Sequence, residues 1–522
     1  MKKYLFSLIL FSLFFGISNA QTISYQMSEG EKGGSNFDYS VRTNNGFLIL
    51  KTDESRAMMS THVKIKTTLL LVDNELNIKQ EIPFVVPDAD YIGIHGLQRM
   101  GDKCYFFYNK RKKKTDEILF CGMMIDETDI AKSKEFVMGT FIYEKGTPSF
   151  SLKPALDSTC YLLFVEPEQK KHDRKNFYFG VFDPNLNKIW DKNVELIAES
   201  RFIDIFAYTS KAEDKVFVSY KHYDNEVSRE SVSGDDGGRI PSYKTNILVF
   251  KKGEEKPTDV HLNIGGKFVH SSDIVYNKKT GKAVIMGMYK NKHNGHVNGV
   301  YYSELDAESN SFTNIKSTPF PQTMVELIKK DGFASKKESD PGLFNPYMAL
   351  NPIIRNDGSI DYLLEYRLLT MVTMSTGRST YTFPRYRYGT VVDAHFTDGV
   401  VAFTRIPKYQ IEDHLNDLLS VYPLLYGNKL ILLYNDDKDN AEKELSKSPD
   451  AITNFKKAVL MAASIDENNQ LSRDIIMDVK GSDDYITNIK LVEKIDNNTL
   501  IITQKKMKMM STKTRYGTLS IK

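Results

Sequence analysis

An all-β fold assembled from one unit used about eight times is what this sequence predicts, and two observations predict it. A polar turn followed by a short apolar, β-favouring run recurs along the chain, as NNGFLILK, DKCYFFYNK, STCYLLFVE, EDKVFVSYK, TGKAVIMGMYK, DGSIDYLLEYR, GNKLILLYN and NNTLIITQ. The residues opening these runs, Phe47, Cys104, Cys160, Val216, Ala283, Asp361, Leu430 and Leu500, lie 57, 56, 56, 67, 78, 69 and 70 residues apart. A near-constant period of this kind marks a repeat architecture. The second observation is what surrounds each run. An apolar stretch meeting Asp, Asn or Gly follows it, as in TTLLLVDNELNIKQEIPF or KAVLMAASIDENNQLSRDIIM, and a short strand such as DYSVRT, DIFAYT or DIVYN precedes it. Alternating runs joined by Asp/Asn turns read as hairpins. Each unit therefore holds four antiparallel strands.

Four antiparallel strands at a regular period, with hardly any helical pattern, describe the blades of a β-propeller. Two or three packed sandwiches would not repeat one four-strand pattern throughout. The units fall near 38–86, 90–137, 148–196, 204–264, 273–320, 345–408, 417–478 and 484–522. The last lacks a fourth strand, while TISYQM near residues 22–27 is a strand without a unit. Pairing the two would close the ring and hide an exposed edge. Thr323–Lys330, with Thr323 and Glu326 at capping-box spacing, and Ala441–Lys447 read as short helical decorations. At the level of architecture the chain resembles exported eight-bladed β-propeller repeat proteins, with seven blades as the alternative count. The resemblance spans nearly all of residues 21–522. The sequence carries no WD series, kelch double glycine or Asp-box, so it implies no particular family.

The first twenty residues read as a signal peptide. Lys2 and Lys3 precede an apolar run from Tyr4 to Ile17, which ends in Ser18-Asn19-Ala20, a small-x-small cleavage site. The run is too short to span a membrane, and no later stretch approaches eighteen apolar residues. A soluble exported protein, periplasmic or extracellular, is expected. With 70 basic against 67 acidic residues, two of the basic ones in the leader, bulk charge favours neither nucleic acid nor membrane as a partner.

Five groups of residues carry candidate chemistry. The hairpin between the second and third strands contains Met58 and Met59 in AMMSTHVKIK, Met509 and Met510 in KMMSTKTRYG, and Met374 in TMVTMSTGRSTYTFPRYRYG. Arg-Tyr-Gly-Thr occurs at Arg387-Tyr388 and again at Arg515-Tyr516. Methionines make adaptable contacts, and Arg and Tyr are favoured at binding hot spots. These residues would form one binding surface, or else pack beneath similar loops inherited by repetition.

Asp38, Asp90, Asp204, Asp273, Asp417 and Asp484 each precede a first strand. Ringing the channel mouth, they could hold calcium through oxygen ligands or supply an acid/base pair; Asp is also an ordinary turn residue. Basic stretches at 109–114, 169–175, 290–293 and 504–508 read as hairpin tips, either solvated or attracting an acidic polymer. His293 and His296 have the spacing of half a zinc site, with no cluster nearby to complete it. Cys104 and Cys121 would face each other if 103–109 pairs with 117–124, within disulfide range, leaving Cys160 free; the alternative is three buried thiols.

Serine-hydrolase, zincin and phosphate-loop motifs are absent. A single tryptophan, Trp190, also argues against the quinone dehydrogenases, whose eight blades carry recurrent tryptophans. The expectation is a binding scaffold engaging a protein or glycan in the cell envelope, without catalysis or cofactor. The alternative is a polysaccharide-acting hydrolase or lyase using the channel-mouth acids.

Overall fold

The computed structural model describes residues 23–521 except 30, 33–34, 57–62, 87–88, 113–114, 143–147, 227–240, 307–308, 310, 337–340, 376, 378, 415, 480–483 and 508–511. Residues 1–20, the expected signal peptide, lie outside the described residues, as do Met58, Met59, Met509 and Met510.

The chain forms eight antiparallel sheets, blades 1 to 8, each running in chain order from a first to a fourth strand. Blade 1 opens with Ser35–Arg42 and ends with Ile78–Phe84. Blade 2 runs from Ala89–Met100 to Lys134–Ile142, blade 3 from Ser149–Pro154 to Lys188–Glu199, and blade 4 from Ile203–Lys211 to Thr258–His261. Blade 5 ends with Ser311–Pro319, blade 6 spans Tyr347–Ala349 to Gln410–Asp413, and blade 7 runs from Tyr422–Tyr426 to Leu471–Asp478. Blade 8 has Ile486–Lys494, Thr499–Met507 and Thr512–Ile521, and its fourth strand is Ile23–Met27 from the other end of the chain.

Why these sequences build blades is visible in any second strand. In Lys103–Lys112, Cys104, Phe106 and Tyr108 point into a cluster shared with blade 1, while Tyr105 and Phe107 point into one shared with blade 3. A period of two sends successive side chains to opposite faces, and burial of both faces makes these runs almost continuously apolar. Such clusters sit between all neighbouring pairs, blades 8 and 1 included, so the ring is closed.

At the closure Ile23 pairs with Ile521 and Met27 with Gly517. Gly517 must be glycine, because a Cβ there would lie 2.2 Å from the Gln26 carbonyl oxygen. The turns between third and fourth strands are equally legible. Asp73, Asp183 and Asp466 accept backbone N–H groups two and four residues on. In two of these turns a leucine, Leu76 or Leu186, takes the left-handed conformation (φ 68° and 66°) and plugs into the neighbouring core. Burial of a large apolar side chain offsets the backbone cost.

Three local expectations are corrected. Cys121 pairs with Tyr108, not Cys104, because the basic stretch Asn109–Lys112 extends the strand and moves the turn outward. Cys104 is thereby offset four residues from Cys121, about 13 Å along the ladder, and all three cysteines are free, buried thiols. The helix of the blade 5–6 connection runs Gln322–Asp331 with Pro321 at its N-cap and no side-chain cap. Ala441–Lys447 forms turns, preceded by a 3-10 turn at Lys438–Asn440.

Candidate functional site

Blade 6 departs from its neighbours. Its second and third strands, Ile360–Ser375 and Thr380–Thr397, have 16 and 18 residues. The corresponding strands of the other blades have 6 to 11. Residues 360–366 are buried in the ring, and the pattern then changes to half-buried and exposed. A bulge between Glu365 and Arg367 marks the point of departure, a device that bends a strand out of its sheet. Beyond it a two-stranded ribbon projects, about 24 Å long from Leu368 to Ser375.

Neither face of this ribbon reads as a solvent face. Cross-strand pairing puts Leu369 with Tyr386 and Met371 with Pro384 on one side, and Val372 with Phe383 and Met374 with Tyr381 on the other. Leu369, Met371, Met374 and Tyr381 are 55, 63, 46 and 46% exposed. Phe383 is covered by the His414 ring at 4.6 Å. The outer edge of the ribbon is protected as far as Arg385 by Gln410–Asp413, and Arg385 holds Asp413 through two bonds of 2.6 and 2.9 Å. The inner edge is different. Blade 6's first strand pairs with Leu364–Tyr366 and goes no further, so no strand among the described residues covers Leu368–Ser375.

The base of the ribbon is anchored by buried charge. Glu365, fully buried, forms an ion pair with Lys408 at 2.7 Å and accepts from Arg367 at 2.5 Å and from Ser420 Oγ at 2.7 Å. Burial pushes this carboxyl up, but the two cations hold it below the usual range. Lys408, also fully buried, is held below the usual lysine range by desolvation. Around the Tyr388 ring stand Arg367, Lys408 and, from blade 8, Lys490, at 5.1, 5.9 and 5.7 Å. An apolar cluster with Leu418, Leu419, Ile452 and Phe455 seats Tyr388 against blade 7.

Beside the base lies a cavity of about 570 Å³ lined by Arg385, Ile411, Glu412, His414, Asn454 and Phe455. Glu412 is raised to about 7, first by burial and then by the charge of Asp417, and its Oε2 is buried without a hydrogen-bond partner. A second cleft, of about 690 Å³, opens between blades 3 and 4 and contains Glu166, Lys175, Arg201, Asp204 and Tyr223.

Among the residues singled out by sequence, Met374 stands near the ribbon's tip, where Tyr381 Oη donates to its Sδ at 3.4 Å. Arg387 lies at the ribbon's base, with a buried Nε that has no hydrogen-bond partner. Tyr388 and Tyr516 are corrections: at 7 and 3% exposure they are core residues rather than contact residues. Tyr516 packs edge-on against Phe37 and donates to the Leu76 carbonyl at 3.3 Å. Arg515 stacks on Tyr485 at 3.9 Å and donates to Gln504. The repeated Arg-Tyr-Gly-Thr is thus a packing motif, a buried tyrosine followed by a glycine that admits Gln26 and Met27 in blade 8 or the Phe333 ring in blade 6.

The aspartates are engaged one by one. Asp38 accepts from Thr52. Asp273 accepts from Tyr362 at 3.0 Å and is raised by burial. Asp417 pairs with Lys505 at 2.6 Å and Asp484 with Lys506 at 3.4 Å; the Asp90 side chain lies outside the described residues. Among the described residues no three His, Cys, Asp or Glu side chains group as a metal site. His293 meets Phe268 and His296 meets Phe344, each in its own contact. Of the stretch at 504–508, the described residues 504–507 are no hairpin tip. They end a second strand, and two of their lysines neutralise two of the aspartates. Lys110, Lys112 and Lys171 likewise have carboxylate partners in Glu135, Glu117 and Glu226.

No family model and no curated protein sequence matches the chain. Among solved structures it is similar to the WD40 domain of SCAP from fission yeast, at 7% identity over 95% of this chain and 98% of that one, with a TM-score of 0.34. The β-propeller domain of the Trilobed protease from Pyrococcus furiosus matches at 10% identity, covering 88 and 97%, with a TM-score of 0.36. Acylaminoacyl peptidase from Pyrococcus horikoshii matches at 14%, covering 93% of this chain, with a TM-score of 0.35; this chain spans 58% of its length. At such scores the fold rests on the chain's own eight sheets. No helix among the described residues is long and apolar enough to cross a membrane.

Proposed function

We propose that this chain is an exported, non-catalytic binding propeller that engages a protein partner in the cell envelope, with the blade 6 ribbon as its principal contact. One observation carries the reading: the ribbon leaves the ring with apolar residues on both faces, and four of them, Leu369, Met371, Met374 and Tyr381, are exposed together on one hairpin. Exposed apolar surface of this kind is expensive in water unless a partner covers it. The ring itself supplies a rigid base, and the buried Glu365–Lys408–Arg367 group fixes the ribbon's root.

The test is site-specific photo-crosslinking in cells of the source organism, with the crosslinker at Met371 or Tyr381 and, as control, at Ile197 on the fourth strand of blade 3. A discrete adduct from the ribbon positions and none from Ile197 is expected. Equal labelling at all three positions would overturn the reading. A second reading, a polysaccharide-acting hydrolase or lyase, has one observation in its favour, the protonatable Glu412 beside Asp417. New reducing ends from a polysaccharide panel, lost in Glu412→Gln, would select it.

A further inference from the structure

We propose that the partner binds by donating an extended, acidic segment that pairs as an additional strand along the inner edge of the ribbon, Leu368–Ser375. This deepens the binding reading and rests on it. Three observations lead there.

The first is the open ladder. A two-stranded ribbon is marginal by itself in water, and this one has a third strand on its outer side only as far as Arg385. On the inner side, every second residue of Leu368–Ser375 turns its N–H and C=O to an edge that no described strand covers. Unpaired strand edges are the standard template for β-augmentation, in which main-chain bonds supply affinity and alternate side chains supply selectivity.

The second is the side-chain pattern beside that edge. Leu369 and Met371 project on one face and Val372 and Met374 on the other. A third strand would therefore meet apolar side chains on both its faces.

The third is charge. Residues 367–375 and 380–389 contain Arg367, Arg385 and Arg387 and no Asp or Glu. Arg367 and Arg385 have carboxylate partners in Glu365 and Asp413, whereas Arg387 and Lys490 have none within ion-pair distance among the described residues. Even with every carboxylate ionised, Arg367, Arg385, Arg387, Lys408, Lys490 and Lys505 outnumber Glu365, Glu412, Asp413 and Asp417, so the base of the ribbon is net positive. An incoming strand with carboxylates at alternate positions complements it.

The same features argue against other occupants. A second copy pairing edge to edge would bring no carboxylate to these cations, since neither strand of its ribbon contains Asp or Glu. A membrane would meet a polar tip, Ser375, Gly377, Ser379 and Thr380, where an inserting hairpin needs apolar residues.

The experiment titrates the full chain with a nine-residue peptide alternating valine and glutamate. Controls are the valine/lysine peptide, the valine/glutamate peptide N-methylated at alternate amides, and anionic vesicles, with the mass of the free protein followed by light scattering. Saturable binding of the valine/glutamate peptide is expected, with new hydrogen-exchange protection at Leu368–Ser375. Binding should weaken about tenfold or more on N-methylation or in Leu369→Glu/Met371→Glu, whose added carboxylates repel the peptide.

No binding, or equal binding of the lysine or N-methylated peptides, would overturn the strand-donation inference, as would dimerisation through the ribbon or vesicle binding in its place. Should the ribbon crosslinks persist while the peptide fails, the binding reading stands and only strand donation falls. Should both fail, neither stands.

Discussion

The seam between blades 8 and 1 and the seam between blades 6 and 7 perform the same task with different chemistry. At the first, Phe37, Phe47, Leu70, Val72, Leu76, Ile501 and Tyr516 form an apolar cluster, and the fourth strand of blade 8 comes from the other end of the chain. At the second, the apolar cluster of Leu363, Val391, Leu430 and Leu432 is flanked by buried charge. Arg355 grips Asp361 at 2.7 and 2.9 Å, and His395 bonds the same carboxylate at 2.7 Å. Asp393 lies fully buried nearby with neither oxygen hydrogen-bonded, held well above the usual carboxylate range by burial and by Asp361. Higher on the same seam sit Glu365, Lys408 and Asp436. Apolar closure is insensitive to pH and tolerant of small changes. Polar closure ties the ribbon's root to specific partners and to protonation.

The contrast breaks most sharply at Arg355. Arg355→Met leaves Asp361 and Asp393 buried together without their cation, and should cost about 3–5 kcal/mol in urea unfolding at pH 7. Next in size is a pH effect at Asp436, which burial pushes up to about 7. Below the ordinary carboxylate value both folded and unfolded chains are protonated, so nothing is lost. Between about 4 and 7 the unfolded chain ionises and the folded one does not. Stability should therefore fall by up to about 1.4 kcal/mol per pH unit across that window. Asp436→Asn should remove this contribution, gaining on the wild type as pH rises from 4 to 7.

Across the other seam, Tyr516→Phe loses the bond to the Leu76 carbonyl and should cost about 1 kcal/mol, equally at pH 4 and 7. Smaller still is the ribbon. Leu369→Ser with Met371→Ser should stay within about 0.5 kcal/mol of wild type while abolishing the ribbon crosslinks. Reductant should leave the melting temperature unchanged. The buried thiols of Cys104 and Cys121, pushed up to about 12 by desolvation, should resist a thiol reagent until the chain unfolds.

Much of the candidate site lay in plain view as a long alternating stretch, LLTMVTMS against TYTFPRYRY, yet its meaning was hidden. Met374 marks the right hairpin, but composition does not separate a contact residue from a core one at Tyr388 and Tyr516, because a loop and a strand end have similar composition. The glycine after each tyrosine was the available signal for close packing. The hairpin register of Cys104 and Cys121 depended on whether Lys110–Lys112 were turn or strand, and charged residues extend a ladder as readily as they cap one. Glu412 carried no sequence signal, since its raised pKa comes from atoms of other segments.

By itself the sequence determined the repeat, the strands and the turns, and it pointed to the closure by Ile23–Met27. These follow from alternation and from Asp/Asn turn chemistry, which act within a few residues. Only the tertiary structure decided which charges meet. Lys505 finds Asp417 across 88 residues, and Glu365 finds Lys408 and Ser420. A side chain's charge is written locally, but its partner and its degree of burial are set by the ring that brings distant strands together.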